Sequence, residues 1–421
     1  MKKIFISMGL AAGAASLSAL MAHGADAGAT PKMWNVSASL RGFYDDNYLV
    51  AHNKVGSFGA EVAPSVSANV DLQQTDIGVR YTFGMYYYQQ RQDTGQDALD
   101  YTHQGDFWLD HSFSERCKLS ASDALAIGQD PQLVQGGAVV RVKGNNLANR
   151  AKATLKNEWT RQFSTATYYG NDYFSYADNA ASSPGNPSEA ALLNRMEQNV
   201  GIDLQWHFQP ETMGFVGYNF RWVRYDGNQL IDVVGPINYY SNSRDYDAHY
   251  AYVGVSHEFS PNLSAQIRGG GSYVDSYNDP AGAAESWAPY ADVSATYTYL
   301  PGCYLQGGLT QNINSTDEFQ PGANGHLTQY QQSTAFYLDL NHRFTPKLAG
   351  SLVSQYIYSS YENGAYSSGG DNAISVGINF SYQINRHFSA EAGYNFDELS
   401  SDVPVRSYDR NRVYIGLSAN Y

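Results

Sequence analysis

The sequence predicts an all-β fold: a transmembrane antiparallel up-and-down β-barrel of about 18 strands, with 16 as the alternative. Short periplasmic turns would close one end and long extracellular loops the other. Three observations predict it. Apolar and polar residues alternate in stretch after stretch from about residue 33 to the last residue. The polar side of that alternation carries charged residues in mid-strand. Two kinds of punctuation, one compact and one extended, segregate to opposite strand ends.

Composition excludes the competing classes. Aromatic residues make up 14% of the chain, with tyrosine at 35 positions, whereas disordered chains are poor in aromatics. A formal net charge of −14 argues against a nucleic-acid partner. A helical membrane protein needs repeated apolar runs of about 20 residues, and only the N-terminus approaches one. There Lys2 and Lys3 precede an apolar stretch from Ile4 to about Ala22, followed by small residues. That is the order of a secretory signal peptide over residues 1–24, and cleavage after Gly24 or after Ala27 fits equally. The exported chain would then reach the outer membrane of a Gram-negative-type envelope. A single barrel domain over 33–421 follows, and the few residues before its first strand leave no room for a plug domain.

The alternation is clearest in Ile374 to Ile384. Ile374, Val376, Ile378, Phe380, Tyr382 and Ile384 fall on one face; Ser375, Gly377, Asn379, Ser381 and Gln383 fall on the other. Period-two alternation is a strand with one apolar and one polar side. Phe58–Leu72, Ile77–Tyr87 and Asn199–Phe208 repeat it. A soluble sandwich has the same alternation; what discriminates is the identity of the polar face. Glu61, Arg80, Asp203, Arg221, Arg268, Asp292, Asp339, Arg343, Asn379 and Glu391 occupy it, so it must be wet. The apolar face must then meet lipid, with a polar lumen inside. These ten residues are the candidate lumen lining.

The punctuation fixes the ends. Phe208-Gln209-Pro210-Glu211, Phe259-Ser260-Pro261-Asn262 and Phe344-Thr345-Pro346-Lys347 end a strand on Phe and turn at once. Leu300-Pro301-Gly302, Phe113-Ser114-Glu115-Arg116 and Ile384-Asn385-Arg386-His387 are variants. At the other ends Tyr225-Asp226-Gly227-Asn228, Tyr277-Asn278-Asp279-Pro280 and Tyr361-Glu362-Asn363-Gly364 open acidic loops. The Phe and Tyr positions are expected to form the two aromatic girdles at lipid-headgroup level. Strands are expected near 34–44, 55–72, 75–90 and 103–116, and finally 405–421. The stretch 117–150 is ambiguous, because Asp123 interrupts the pattern. Pro64 and Pro289 fall inside strand patterns, where a ladder donor is lost, and are expected at bulges or strand ends.

Little else carries chemistry. Asp45-Asp46 and Asp110-His111 resemble acid pairs, but the topology puts them near opposite membrane surfaces, beyond hydrogen-bond reach. His342 sits on the apolar face between Leu340 and Phe344 without a serine spacing that would make it a lipase-like base. No calcium-loop, zinc or haem spacing occurs, so no enzyme activity, cofactor or metal is expected. Cys117 and Cys303 look like turn edges, and an oxidising compartment would permit a bridge between them. The surplus acids fall mainly in the loops: Asp93, Asp97 and Asp100; Asp178; Asp226; Asp279 and Glu285; Asp317 and Glu318; Glu362; Asp371; Asp402. The lumen charges nearly balance, so an acidic mouth above a neutral channel is expected.

The chain ends in Arg412-Val413-Tyr414-Ile415-Gly416-Leu417-Ser418-Ala419-Asn420-Tyr421. Val413, Ile415, Leu417 and the terminal Tyr421 share the apolar face. The segment resembles the C-terminal signal that outer-membrane barrels present to the insertion machinery, with Tyr where Phe is commoner. Leu40–Asn47, Leu109–Gln132, Asn199–Asp226 and Tyr252–Tyr277 resemble the putative beta-barrel porin family of the second type. The acidic mouth adds an expected weak preference for cations, and the resemblance itself implies outer-membrane permeability, expected here as a barrel in outer-membrane lipid that admits small hydrophilic solutes by passive diffusion. It implies as the alternative a non-conducting structural barrel, or a component associated with polysaccharide export.

Overall fold

Strands with one apolar and one charged face can satisfy both only by closing on themselves, and the computed structural model of the protein shows that closure. It describes residues 33–128, 134–135, 138–139, 146–177 and 182–421; the expected signal peptide lies outside them. Eighteen antiparallel strands form one sheet. The first six are β1 (Trp34–Asp45), β2 (Ser57–Asp71), β3 (Thr75–Tyr88), β4 (Leu99–Ser112), β5 (Cys117–Gly128) and β6 (Asn146–Glu158). Next come β7 (Phe163–Tyr176), β8 (Arg195–Gln209), β9 (Thr212–Tyr225), β10 (Tyr246–Ser260), β11 (Leu263–Ser276) and β12 (Ala284–Leu300). The last are β13 (Cys303–Asn314), β14 (Tyr330–Arg343), β15 (Leu348–Glu362), β16 (Gly370–Gln383), β17 (Phe388–Ser401) and β18 (Tyr408–Asn420). Each strand pairs with its sequence neighbours, and β1 pairs with β18 from Ser37↔Asn420 to Asp45↔Arg412. No edge is left over, as a sheet in lipid requires.

Within the ambiguous stretch, 117–128 form β5 and 146–150 begin β6, so the barrel has 18 strands. Connections alternate between turns of two to four residues and loops of six to twenty. Phe113, Phe208, Phe259 and Phe344 are exposed on the outer wall at the short-turn end, as a girdle requires. In the opposite girdle Tyr277 is exposed as expected, whereas the other two tyrosines depart from expectation. Tyr225 and Tyr361 are buried inside the barrel, because each shares the parity of inward residues on its own strand: Arg221 for Tyr225, Gln355 for Tyr361. Outward Tyr44, Tyr101, Tyr173, Trp287 and Tyr358 supply the aromatic surface at that end instead.

Neither proline sits at a bulge. Pro64 holds a straight register against Ala38, and the β2–β3 ladder merely lacks its rungs at 63 and 64. Pro289 pairs with Gly271 on one side, and on the other lies short of Ala291↔Gln311, where pairing with β13 starts. Cys117 and Cys303 open β5 and β13 and are both free thiols. His342, on the outer wall, stacks on Tyr299 and shares a hydrogen bond with its hydroxyl at 2.7 Å.

Candidate functional site

All ten candidate lumen residues have inward parity, and the structure gives most of them partners. Arg41 on β1 donates to Glu391 at 2.8 and 3.0 Å and reaches Glu61 at 3.5 Å, joining three strands. Arg80 donates to Asp106 at 2.9 Å. Arg268 and Asp292 are directly opposite across β11 and β12. Asp203 accepts from Tyr252 at 2.6 Å, Asp339 from Tyr304 at 3.2 Å, and Asn379 from Tyr414. Arg221 donates to Glu197, and Arg343 is exposed at the short-turn mouth. The candidates do not converge on one point; they line the wall around the whole barrel.

Two buried clusters reach beyond the ten. Glu197 accepts from Arg195 at 2.7 Å and from Arg221, so two guanidinium groups share one carboxylate. Asp45 accepts from Arg410 at 2.9 Å and from Arg412 at 3.0 Å. Breaking such a buried pair is costly, since it strands a charge away from water. Both clusters follow from parity carried a few residues further: Arg195 and Glu197 share the face of Asp203, and Asp45 shares that of Arg41. Their position at the loop ends of the strands hid them.

Inward aromatic rings lie flat along the wall because the neighbouring strand offers them glycine. A Cβ on Gly201 would collide with the ring of Tyr168, its direct cross-strand partner. Gly217 with Tyr252, Gly254 with Phe215 and Gly393 with Tyr414 repeat the arrangement. Bare backbone lets each ring cover the strand instead of crossing the lumen, as glycines in curved sheets commonly do. Tyr168 and Tyr252 then join hydroxyls at 3.0 Å.

The loop half of the lumen is filled by the chain itself. The strand end and loop from Ile313 to Gln329 fold inward. Arg221 donates to the Ile313 carbonyl at 2.8 Å, and Ser315 donates to Glu197 at 3.1 Å, tying the segment to β8 and β9. Fully buried Arg244, from the β9–β10 loop, donates to the carbonyls of Leu192, Thr316 and Glu318. Arg406, from the β17–β18 loop, reaches Asp317 at 2.6 Å, Asp371 at 3.0 Å and Glu318 at 3.4 Å. Burial and the adjacent Asp317 push the Glu318 carboxyl up to about 7, against the pull of Arg406. A second inward loop, between β1 and β2, is stapled by Asn47, which donates to the carbonyls of Ala51 at 2.8 Å and Asp409 at 2.9 Å. Its tip, Val50, packs with Leu399, Tyr408 and other inner-wall residues of β14 to β18.

This knot changes the electrostatics expected of the mouth. Asp317, Glu318 and Asp371 share Arg406; Asp100 pairs with Arg91 at 2.5 Å; Asp279 meets His326 at 2.9 Å. Asp93, Asp97, Asp226, Glu285 and Asp402 remain exposed, and Asp178 lies outside the described residues. Down the outer face of β18, from the level of Tyr44 to the terminus, Val413, Ile415, Leu417 and Tyr421 are exposed, where a lipid-side signal would be displayed.

Comparison with curated proteins finds no match in sequence. Among solved structures, OccAB4 of Acinetobacter baumannii is similar over 93% of this chain and 99% of its own, at 12% identity and a TM-score of 0.42. OccK9 (OpdG) of Pseudomonas aeruginosa is similar over 92% and 98%, at 11% identity and a TM-score of 0.45. The siderophore receptor PiuA of Acinetobacter baumannii is similar over 93% and 82%, at 10% identity and a TM-score of 0.47. Residues 24–421 match the family described as Putative beta-barrel porin 2. The match covers nearly the whole chain, and the closed barrel with an apolar outer wall and a charged inner one agrees with it: the chain belongs to the putative beta-barrel porin 2 family of outer-membrane barrels.

Proposed function

We propose that this protein is a porin-like conduit through which small hydrophilic solutes diffuse passively, with the inward loops setting the constriction. The observation that carries the reading is a closed 18-stranded wall with charged residues inside and apolar residues outside. Barrels of 16 to 18 strands are wide enough to hold an aqueous channel. The exposed rim acids Asp93, Asp97, Asp226 and Asp402 favour cations through a long-range field, since most lumen charges are paired. That field is screened over about 10 Å at 0.1 M salt and about 3 Å at 1 M. Conductance of the refolded protein in planar bilayers tests both parts. Discrete steps are expected, with reversal potentials in a salt gradient showing weak cation preference at 0.1 M that fades by 1 M. Anion preference, or selectivity undiminished at 1 M, would mean that lumen residues set the filter.

A second reading is favoured by the buried knot at Arg244 and Arg406: a barrel that does not conduct and serves as a structural component or in polysaccharide export. A properly refolded protein with no conductance at any voltage would favour this reading over the first.

A further inference from the structure

The outer wall carries one feature that lipid does not explain. Asp123 on β5, Asn171 on β7 and Gln198 on β8 lie on a single cross-strand line, with Ala151 of β6 between the first two. All have outward parity: Asp123 is opposite exposed Phe107, and Gln198 lies two residues from exposed Val200. Asn149, also outward, donates its amide to Asp123 at 2.8 Å. The other outward charges, Asp247, Asp275 and Glu398 among them, lie within four residues of the loop ends of their strands. Asp123 does not. Counting up from the short turn, it follows Cys117, Leu119 and Ala121, as Ile378 follows Ile384, Tyr382 and Phe380. At about 5 Å of height per outward position, both stand about 15 Å above the turn girdle, inside an apolar band about 25 Å tall.

The Asn149–Asp123 bond and the donation of the Gln198 amide to Met196 Sδ at 3.2 Å meet only part of the hydrogen-bonding capacity of this carboxylate and these three amides, and hydrocarbon supplies nothing for the rest. We propose that the outer wall of β5 to β8 is an interface with a second copy of this chain. The chemistry selects the occupant. Asn149, Asn171 and Gln198 each carry a donor and an acceptor, so the line is complementary to itself about a two-fold axis, as an isologous contact requires. Ala121, Ala151 and Ala153 beside them allow two walls to approach closely. β5 has no outward aromatic, and β6 has none above its turn. Four strands at this height offer roughly 500 Å² per copy, about 1,000 Å² for the pair, which is enough for a specific contact.

The test uses the full chain in intact outer membranes, with Cys117→Ser and Cys303→Ser removing the native thiols. Asn171→Cys is expected to cross-link to itself as a dimer, while Ile378→Cys on the far wall stays monomeric. In mild detergent, light scattering is expected to give a dimer for the parent. The triple variant Asp123→Leu, Asn171→Leu, Gln198→Leu is expected to give a monomer that still shows the heat-modifiable migration of a folded barrel. Three results would overturn the inference: no cross-link at position 171, a triple variant that remains dimeric, or a cross-link to a different protein in place of the self-linked dimer.

Discussion

Ile378 and Asn379 are consecutive residues in opposite solvents. Ile378 is exposed on the outer wall, whereas Asn379 faces inward and accepts a hydrogen bond from Tyr414. Ile378→Arg is expected to destabilise the barrel by about 2–4 kcal/mol, because it places a charge near the bilayer midplane. Asn379→Arg should cost far less; denaturant unfolding of vesicle-embedded protein measures both, and equal costs would refute the face assignment. Glu318 is a residue-scale case of a different kind. Its carboxyl, pushed up to about 7 by burial and Asp317 against 4.5 for a free glutamate, holds its proton more strongly with the loop packed inward than with it detached. The neutral form therefore favours closure below about pH 4.5, and that advantage declines as pH rises to about 7. Amide exchange across 315–318, corrected for intrinsic rates, should accelerate over that window, and Glu318→Gln should flatten the slope. An unchanged slope in the variant would place the titrating group elsewhere. Which wall each residue joins was legible from period-two parity. The pairing of Asp317 and Glu318 with Arg406, 89 and 88 positions away, was not, because no local pattern encodes a contact between two loops.

At the scale of the element, each strand builds two surfaces under separate rules. The outer one needs apolar residues only, whereas the inner one must also stow bulky rings. Glycine opposite an aromatic does this, and Gly201 is the test case. Gly201→Ala should drive the Tyr168 ring off the wall, break its hydroxyl contact with Tyr252 and lower single-channel conductance. Overpacking of this kind costs about 1–3 kcal/mol. Gly269→Ala, with open space around its position, is the control; matching losses in both variants would mean that glycine acts through backbone freedom alone. The β1–β2 loop shows strain of another sort. Val50 holds φ at 50°, in the left-handed region, which is unfavourable for a β-branched side chain. Its burial among inner-wall residues and its turn bond to the Asn47 carbonyl at 3.0 Å hold it there. The strands themselves were legible within a few residues; that this loop turns inward was not, since its apolar tip reads like any loop residue until the wall it meets is known.

For the whole molecule, the decisive event is closure. β1 and β18 meet along a seam that ends where the Tyr421 amide donates to the Val36 carbonyl at 2.9 Å. The Tyr421 ring packs near Trp34 at 5.9 Å and stacks with His387 at 6.3 Å. Deleting Tyr421, or replacing it with Asp, removes both the aromatic terminus and its packing across the seam. Outer-membrane insertion, scored by surface labelling and heat-modifiable migration, should fall while export continues; undiminished assembly would show that the terminus carries no signal. The sequence by itself determined the barrel, its inside and outside, and the alternation of turns and loops, because period-two patterning and turn chemistry are local and repeat at every strand. Only the tertiary structure decided how full the lumen is, which acids are neutralised, and that Asp123 shares its face with Asn149, Asn171 and Gln198. Those outcomes depend on which strands and loops closure brings together, and contacts between residues distant in sequence leave no period along the chain.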